Sequence, residues 1–169
     1  IRELPASIGA FLFAFASIRL NQINHPQQLP QFFTVLALHA LVRLFSQPEA
    51  KSNRKWIAVF FLSCSAQLWA SFYLGWFLGI SLLLGMIACL LKSSWRARMF
   101  QVFRFHAAWI AAWGLLAAFS LIPMGTHYIQ ASHEVGVRGF NAVQPWIPGL
   151  ASWFYLGQES WLYDWMVRL

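Results

Sequence analysis

Apolar residues run along this chain in long blocks, and short polar stretches separate them. Pro5–Leu20, Gln31–Ser46, Trp56–Leu91 and Phe105–Ile122 are apolar. Asn21–Pro30 (NQINHPQQLP), Gln47–Lys55 (QPEAKSNRK) and Lys92–Arg104 are polar or basic. Such blocks predict helices that cross a bilayer, since a helix rises about 1.5 Å per residue and roughly 20 residues span the hydrocarbon.

The block Trp56–Leu91 runs 36 residues without a charge. It is too long for one ordinary span and suits two helices joined by a tight turn near Ser71–Gly75. The expected fold is all-α: an integral membrane helix bundle of about five transmembrane helices, near 5–20, 31–46, 56–71, 75–91 and 105–122. Residues 1–122 form the bundle in this reading. Residues 123–169 form a Trp-rich outer tail lying against the interface. Ile1 and Leu169 are expected to be cuts in a longer chain. Pro5–Leu20 carries no convincing cleavage site, so a signal peptide is not expected.

Composition strengthens the membrane reading. Of 169 residues 59% are hydrophobic and 10% charged, where a soluble domain carries about 25% charged residues. The net charge of +7 is not a nucleic-acid signature, because the cations sit in the gaps between apolar blocks rather than on a water-exposed surface. There they set topology and meet anionic lipid. Both loops flanking Trp56–Leu91 are basic, and the positive-inside rule wants both in the cytoplasm. An even number of crossings between them satisfies it. The N-terminus then lies inside, the Asn21–Pro30 loop outside and the tail outside. Arg2, Arg43, Lys51, Arg54, Lys55, Lys92, Arg96, Arg98 and Arg104 fall on the cytoplasmic side, while Glu134, Glu159 and Asp164 fall in the tail.

Ser71, Gly75 and Gly79 follow a small-xxx-small spacing, and Ala107, Ala108, Ala111 and Ala112 repeat it in the last span. Small residues let helix backbones approach in lipid. Cys64 and Cys89 lie inside apolar blocks and read as small buried hydrophobes.

The candidate chemistry clusters at the outer face. Arg19, His25 and Gln28, with Asn21, Gln22, Asn24 and Gln27, make the densest polar group. An Arg offers a planar fork of donors suited to phosphate; the alternative is a snorkelling cation beside a solvated loop. Gln67 and Tyr73 fall near the same face. Gln67 needs a partner on a neighbouring helix, and Tyr73 also suits the aromatic belt. His39 and His106 share a depth suited to a haem, but helix–helix hydrogen bonds are the favoured role. In the tail, His127, His133, Glu134 and Arg138 stand near HYIQASHE, which is not HExxH. No nucleotide loop, catalytic triad pattern or metal cluster is present in the sequence, and no cofactor is evident.

The stretch INHPQQLPQFFTVLALHALVRLF, then AQLWASFYLGWFLG and the tail string PWIPGLASWFYLGQESWLYDW, resemble bacterial polytopic membrane proteins of the GT-C glycosyltransferase fold. His25, Pro26, Gln27, Leu29, Pro30, Arg43, Gln67, Tyr73, Leu74 and Gly75 carry the likeness. The resemblance implies transfer of a sugar from a polyprenyl-phosphate donor at the outer face of the bacterial cytoplasmic membrane. It implies a catalytic Asp in a first outer loop, which would lie upstream of Ile1, and leaves room for a divalent metal in the full-length protein. Arg19 and His25 would grip the carrier phosphate, with Arg138 in reserve. The rival reading is a non-enzymatic membrane subunit whose polar residues serve packing and whose Trp-rich tail binds a partner.

Overall fold

The computed structural model describes residues 3–15, 29–136 and 139–144. All regular structure among them is helical. The chain divides into two compact units, Ile1–Thr126 and His127–Leu169.

In the first unit, α1 is Glu3–Ala14. Pro5 sits in its first turn, where no intrahelical partner is lost. Helix α2 is Phe32–Ser46 and ends just before Pro48, which cannot continue it. Helix α3 is Asn53–Ala70 and α4 is Phe72–Leu91. One residue separates them. Ser71 is extended (φ −159°, ψ 107°), and its hydroxyl accepts from the Leu74 amide at 3.3 Å. The turn expected near Ser71–Gly75 is therefore a break at Ser71, closed by a serine cap.

Helix α5 is Ser93–Val135, which begins in the first unit. The basic stretch Lys92–Arg104 is thus largely helix rather than loop. Residues 93–104 contain no Gly or Pro, and Arg, Met, Gln and Ala are good helix formers. The helix bends at His106 (φ −128°, ψ 16°) and continues through Pro123. Pro123 has no N–H to give the Phe119 carbonyl. One residue on, the Ser120 carbonyl accepts from the Trp69 indole at 3.2 Å. In the second unit, Gly136 (φ 72°) follows the end of α5, a left-handed position that stops a helix and that glycine takes without strain. A single turn, α6 (Phe140–Val143), follows.

The order of ends comes from long-range bonds. Gln67, late in α3, bonds Thr34, early in α2, so these two helices run antiparallel. Arg98 donates to the Phe45 carbonyl at 3.2 Å, and His106 Nε2 lies 3.0 Å from the Pro48 carbonyl. The chain therefore leaves one end of the bundle at Asn53 and is back there by Arg98. Both basic segments lie at that end. Beyond the bend, α5 runs alongside α3 in the same direction: Arg54 meets Trp109, Phe61 meets Gly114, and Trp69 meets Ser120.

The packing is inverted relative to a protein in water. The buried apolar side chains among the described residues are Ala37, Ala40, Leu44, Ile57, Leu78 and Val102. The buried polar ones are as numerous: Asn53, Ser63, Ser65, Gln67, Ser71 and His106. Large apolar side chains such as Leu84, Leu91, Leu115 and Phe119 face outward. Water does not tolerate contiguous apolar surface on that scale, whereas helices in lipid associate through small and polar residues. Helix α4 and the Ser93–Glu134 stretch of α5 are long and apolar enough to cross a membrane. Helices α1 and α2 are apolar but shorter. Helix α3 has basic residues in its first turn and several buried polar ones.

Candidate functional site

Two clusters stand at opposite ends of the bundle. The first centres on Gln67, which is fully buried. Its Oε1 accepts from both the Thr34 amide and the Thr34 hydroxyl, each at 3.0 Å. Its Nε2 donates to the Pro30 carbonyl at 2.8 Å. Helix α2 has Gln31 at its N-cap with no side-chain cap bond, so its first-turn amides need an acceptor from elsewhere. Gln67 supplies it from the neighbouring helix. The same bonds pin the Pro30 end of the polar Asn21–Pro30 segment against α3.

Of the candidate residues named from sequence, Gln67 is thus a clamp between helices, with three of its four hydrogen-bonding positions in use. Tyr73 is 60% exposed on the first turn of α4 and lies edge-on to Phe72. It points outward while the Gln67 amide points inward. Arg19, His25, Gln28 and Arg138 lie outside the described residues.

Gly75 lies just beyond this end. A Cβ built there would come within 2.8 Å of the Leu68 backbone, so α4 can leave the Ser71 break along this path only with glycine at 75. Gly79, expected from its spacing to share that packing face, meets nothing within 4 Å. The small-residue contact is confined to the junction because α4 exposes most of its remaining surface.

The second cluster is basic. Asn53, 1% exposed, donates from Nδ2 to the Gln47 carbonyl at 2.7 Å and the Pro48 carbonyl at 3.2 Å. It thereby satisfies acceptors left open beyond the end of α2. His106 reaches the same Pro48 carbonyl from α5. His39 lies edge-on to Trp56 at 5.2 Å. Each histidine has a structural partner of its own, and both serve contacts between elements.

Around this frame, Arg43 and Lys55 lie over the Trp56 ring at 5.6 and 5.3 Å. Arg54 lies over Trp109 at 5.3 Å, and Lys92 over Trp95 at 4.6 Å. Arg96 and Arg98 donate to the carbonyls of Leu90 and Phe45. Sequence reasoning placed these cations at one end but did not assign them partners. Trp56 beside Lys55 and Trp95 near Lys92 were the signal for the local cation–π pairs; the pairing of Arg54 with Trp109 carried none, since the two are far apart in sequence.

Among the described residues no group of three or more His, Cys, Asp or Glu converges to hold a metal. No family model, curated protein or solved structure matches this chain.

Proposed function

We propose that this chain is the multi-span part of a membrane glycosyltransferase-like protein of the bacterial cytoplasmic membrane, with about five crossings. In this reading the N-terminus and the basic end lie in the cytoplasm, and the Gln67 end lies outside. The protein uses a polyprenyl-phosphate-linked sugar donor at the outer face. Arg19 and His25 hold the carrier phosphate. The leaving phosphate gains charge in the transition state, and fixed cations there lower the barrier.

The observation that supports this reading best is the clamp of Gln67 on Pro30 and Thr34. It holds the Pro30 end of the polar segment that follows Arg19 and carries His25 and several amides, at the end opposite the basic loops. A second reading, a non-enzymatic membrane subunit, draws on the same clamp, because Gln67 is committed to packing and Tyr73 faces outward.

The test is binding of polyprenyl phosphate by the purified full-length protein, followed by sugar transfer per molecule. A charged hydrogen bond contributes about 1.5–3 kcal/mol, so Arg19→Ala is expected to weaken binding roughly tenfold to a hundredfold. Arg19→Lys restores it only in part, since an ammonium keeps the charge and loses the fork. Unchanged binding and turnover in Arg19→Ala, at normal membrane abundance, would remove Arg19 from the site; no polyprenyl-phosphate binding and no transfer by the parent protein would favour the subunit.

A further inference from the structure

Helices α2, α3 and α5 do not close against one another at the basic end. A partly open cavity of about 120 Å³ lies between them. Its walls include Leu44, Ile57, Phe61, Val102, Phe103 and Ile110, and they present no polar surface. Apolar cavities of about 150 Å³ accept a benzene ring, so this one has room for a short segment of a hydrocarbon chain, with the remainder lying along the open groove.

The mouth of the groove is cationic. Arg98 is bound to the carbonyl of Phe45, itself a wall residue, and precedes the wall residue Met99. Arg54 stands one helical turn before Ile57, and its guanidinium lies over Trp109, next to Ile110. This end carries Arg43, Lys51, Arg54, Lys55, Lys92, Arg96, Arg98 and Arg104 against a single carboxylate, Glu49. Among the described residues, Arg43, Arg54, Lys55 and Lys92 lie over indole faces, and Arg96 and Arg98 donate to backbone carbonyls. Such partners orient a cation without neutralising it, so among the described residues the charge is left for an external anion to balance.

We infer that the groove between α2, α3 and α5 binds an anionic phospholipid, with one acyl chain against the apolar walls and the phosphate at Arg98 and Arg54. A soluble anion leaves the apolar walls uncovered, and a neutral lipid leaves the cations uncompensated. Only an amphiphile with an anionic head answers both features. The inference rests on the membrane-embedded part of the proposed reading and not on glycosyl transfer.

Purified protein in a neutral detergent is titrated with phosphatidylglycerol, phosphatidylcholine or glycerol 1-phosphate, and thermal unfolding is followed. Phosphatidylglycerol at a hundredfold excess over its Kd is expected to raise Tm by about 5–10 °C. The other two are expected to shift it far less. Arg98→Gln and Arg54→Gln should each weaken phosphatidylglycerol binding roughly tenfold and leave the lipid-free Tm near that of the parent. Ile110→Trp, which fills the groove, should weaken it as well. Arg19→Ala should leave it unchanged, so a failed transferase reading leaves this outcome intact. Equal shifts by the two lipids, or undiminished phosphatidylglycerol binding in both Arg variants, would overturn the inference. A full shift with glycerol 1-phosphate alone would overturn the acyl-chain half of it.

Discussion

Gln67 does at residue scale what a helix cap usually does from within its own helix. Its carbonyl oxygen takes the Thr34 amide and hydroxyl, and its amide feeds the Pro30 carbonyl. In a low-dielectric interior these groups have no water to fall back on. Gln67→Leu keeps much of the volume but strands the Thr34 amide and the Pro30 carbonyl, and each stranded group costs about 1–3 kcal/mol. The variant is expected to unfold at least several degrees below the parent in detergent. Gln67→Glu, in its ionised form, keeps the acceptor and loses the donor to Pro30. A melting series of the two variants checks the assignment: a parent-like Tm for Gln67→Leu would contradict it.

At the scale of elements, the α3–α4 junction is decided by two small residues with different duties. Ser71 caps α4 through Leu74, and Ser71→Ala should cost about 1 kcal/mol. Gly75 lets the backbones pass, and Gly75→Ala places a methyl within 2.5 Å of the Leu68 side chain and 2.8 Å of its backbone. Overpacking of this kind costs roughly 1–3 kcal/mol. A Cβ at Gly79 meets nothing within 4 Å, and Gly79→Leu should leave Tm close to the parent value. Thermal unfolding of the three variants in one detergent gives the expected order, with Gly75→Ala lowest and Gly79→Leu highest. The GxxxG spacing alone treats the two glycines alike; the position of Leu68 separates them.

For the whole molecule, the return of the chain to one end of the bundle between Asn53 and Arg98 gives the topology its test. Single cysteines at Ser52 and Ser94, in a background without Cys64 and Cys89, should resist an impermeant thiol reagent in intact cells, and both should react once the membrane is opened. A cysteine at Asn24 should react from outside. Labelling of Ser52 from outside would reverse the proposed orientation, and labelling of only one of the two would break the paired arrangement of the basic segments. The same geometry explains why eight cations gather at one end, with Glu49 the carboxylate among the described residues there. Segments distant in sequence converge on one end, and their charge is left for the surroundings to balance.

Helical character was legible in the sequence because it depends on local properties. Long apolar blocks, the charge-free run Trp56–Leu91 and its turn near Ser71 all read from spacing and length. The gathering of basic residues at one end also followed, because that end is visited by both flanking segments of a two-helix block. The helical state of residues 93–104 was obscured by their charge, which reads as a loop when hydropathy alone is followed. That Gln67 needs a partner on a neighbouring helix was legible, but which groups it bonds was not, since they lie 33 and 37 residues away. Nor was the groove, because a gap between helices depends on which large side chains meet. Phe60, Phe61 and Phe103 are ordinary apolar residues in sequence; the tertiary structure brings them together as walls of one cavity between α2, α3 and α5. Composition and spacing determined the apolar helices and where the charge lies along the chain. Only tertiary structure decided which polar groups pair and where apolar surface stays open, because those outcomes depend on distances between residues that the order of the chain does not contain.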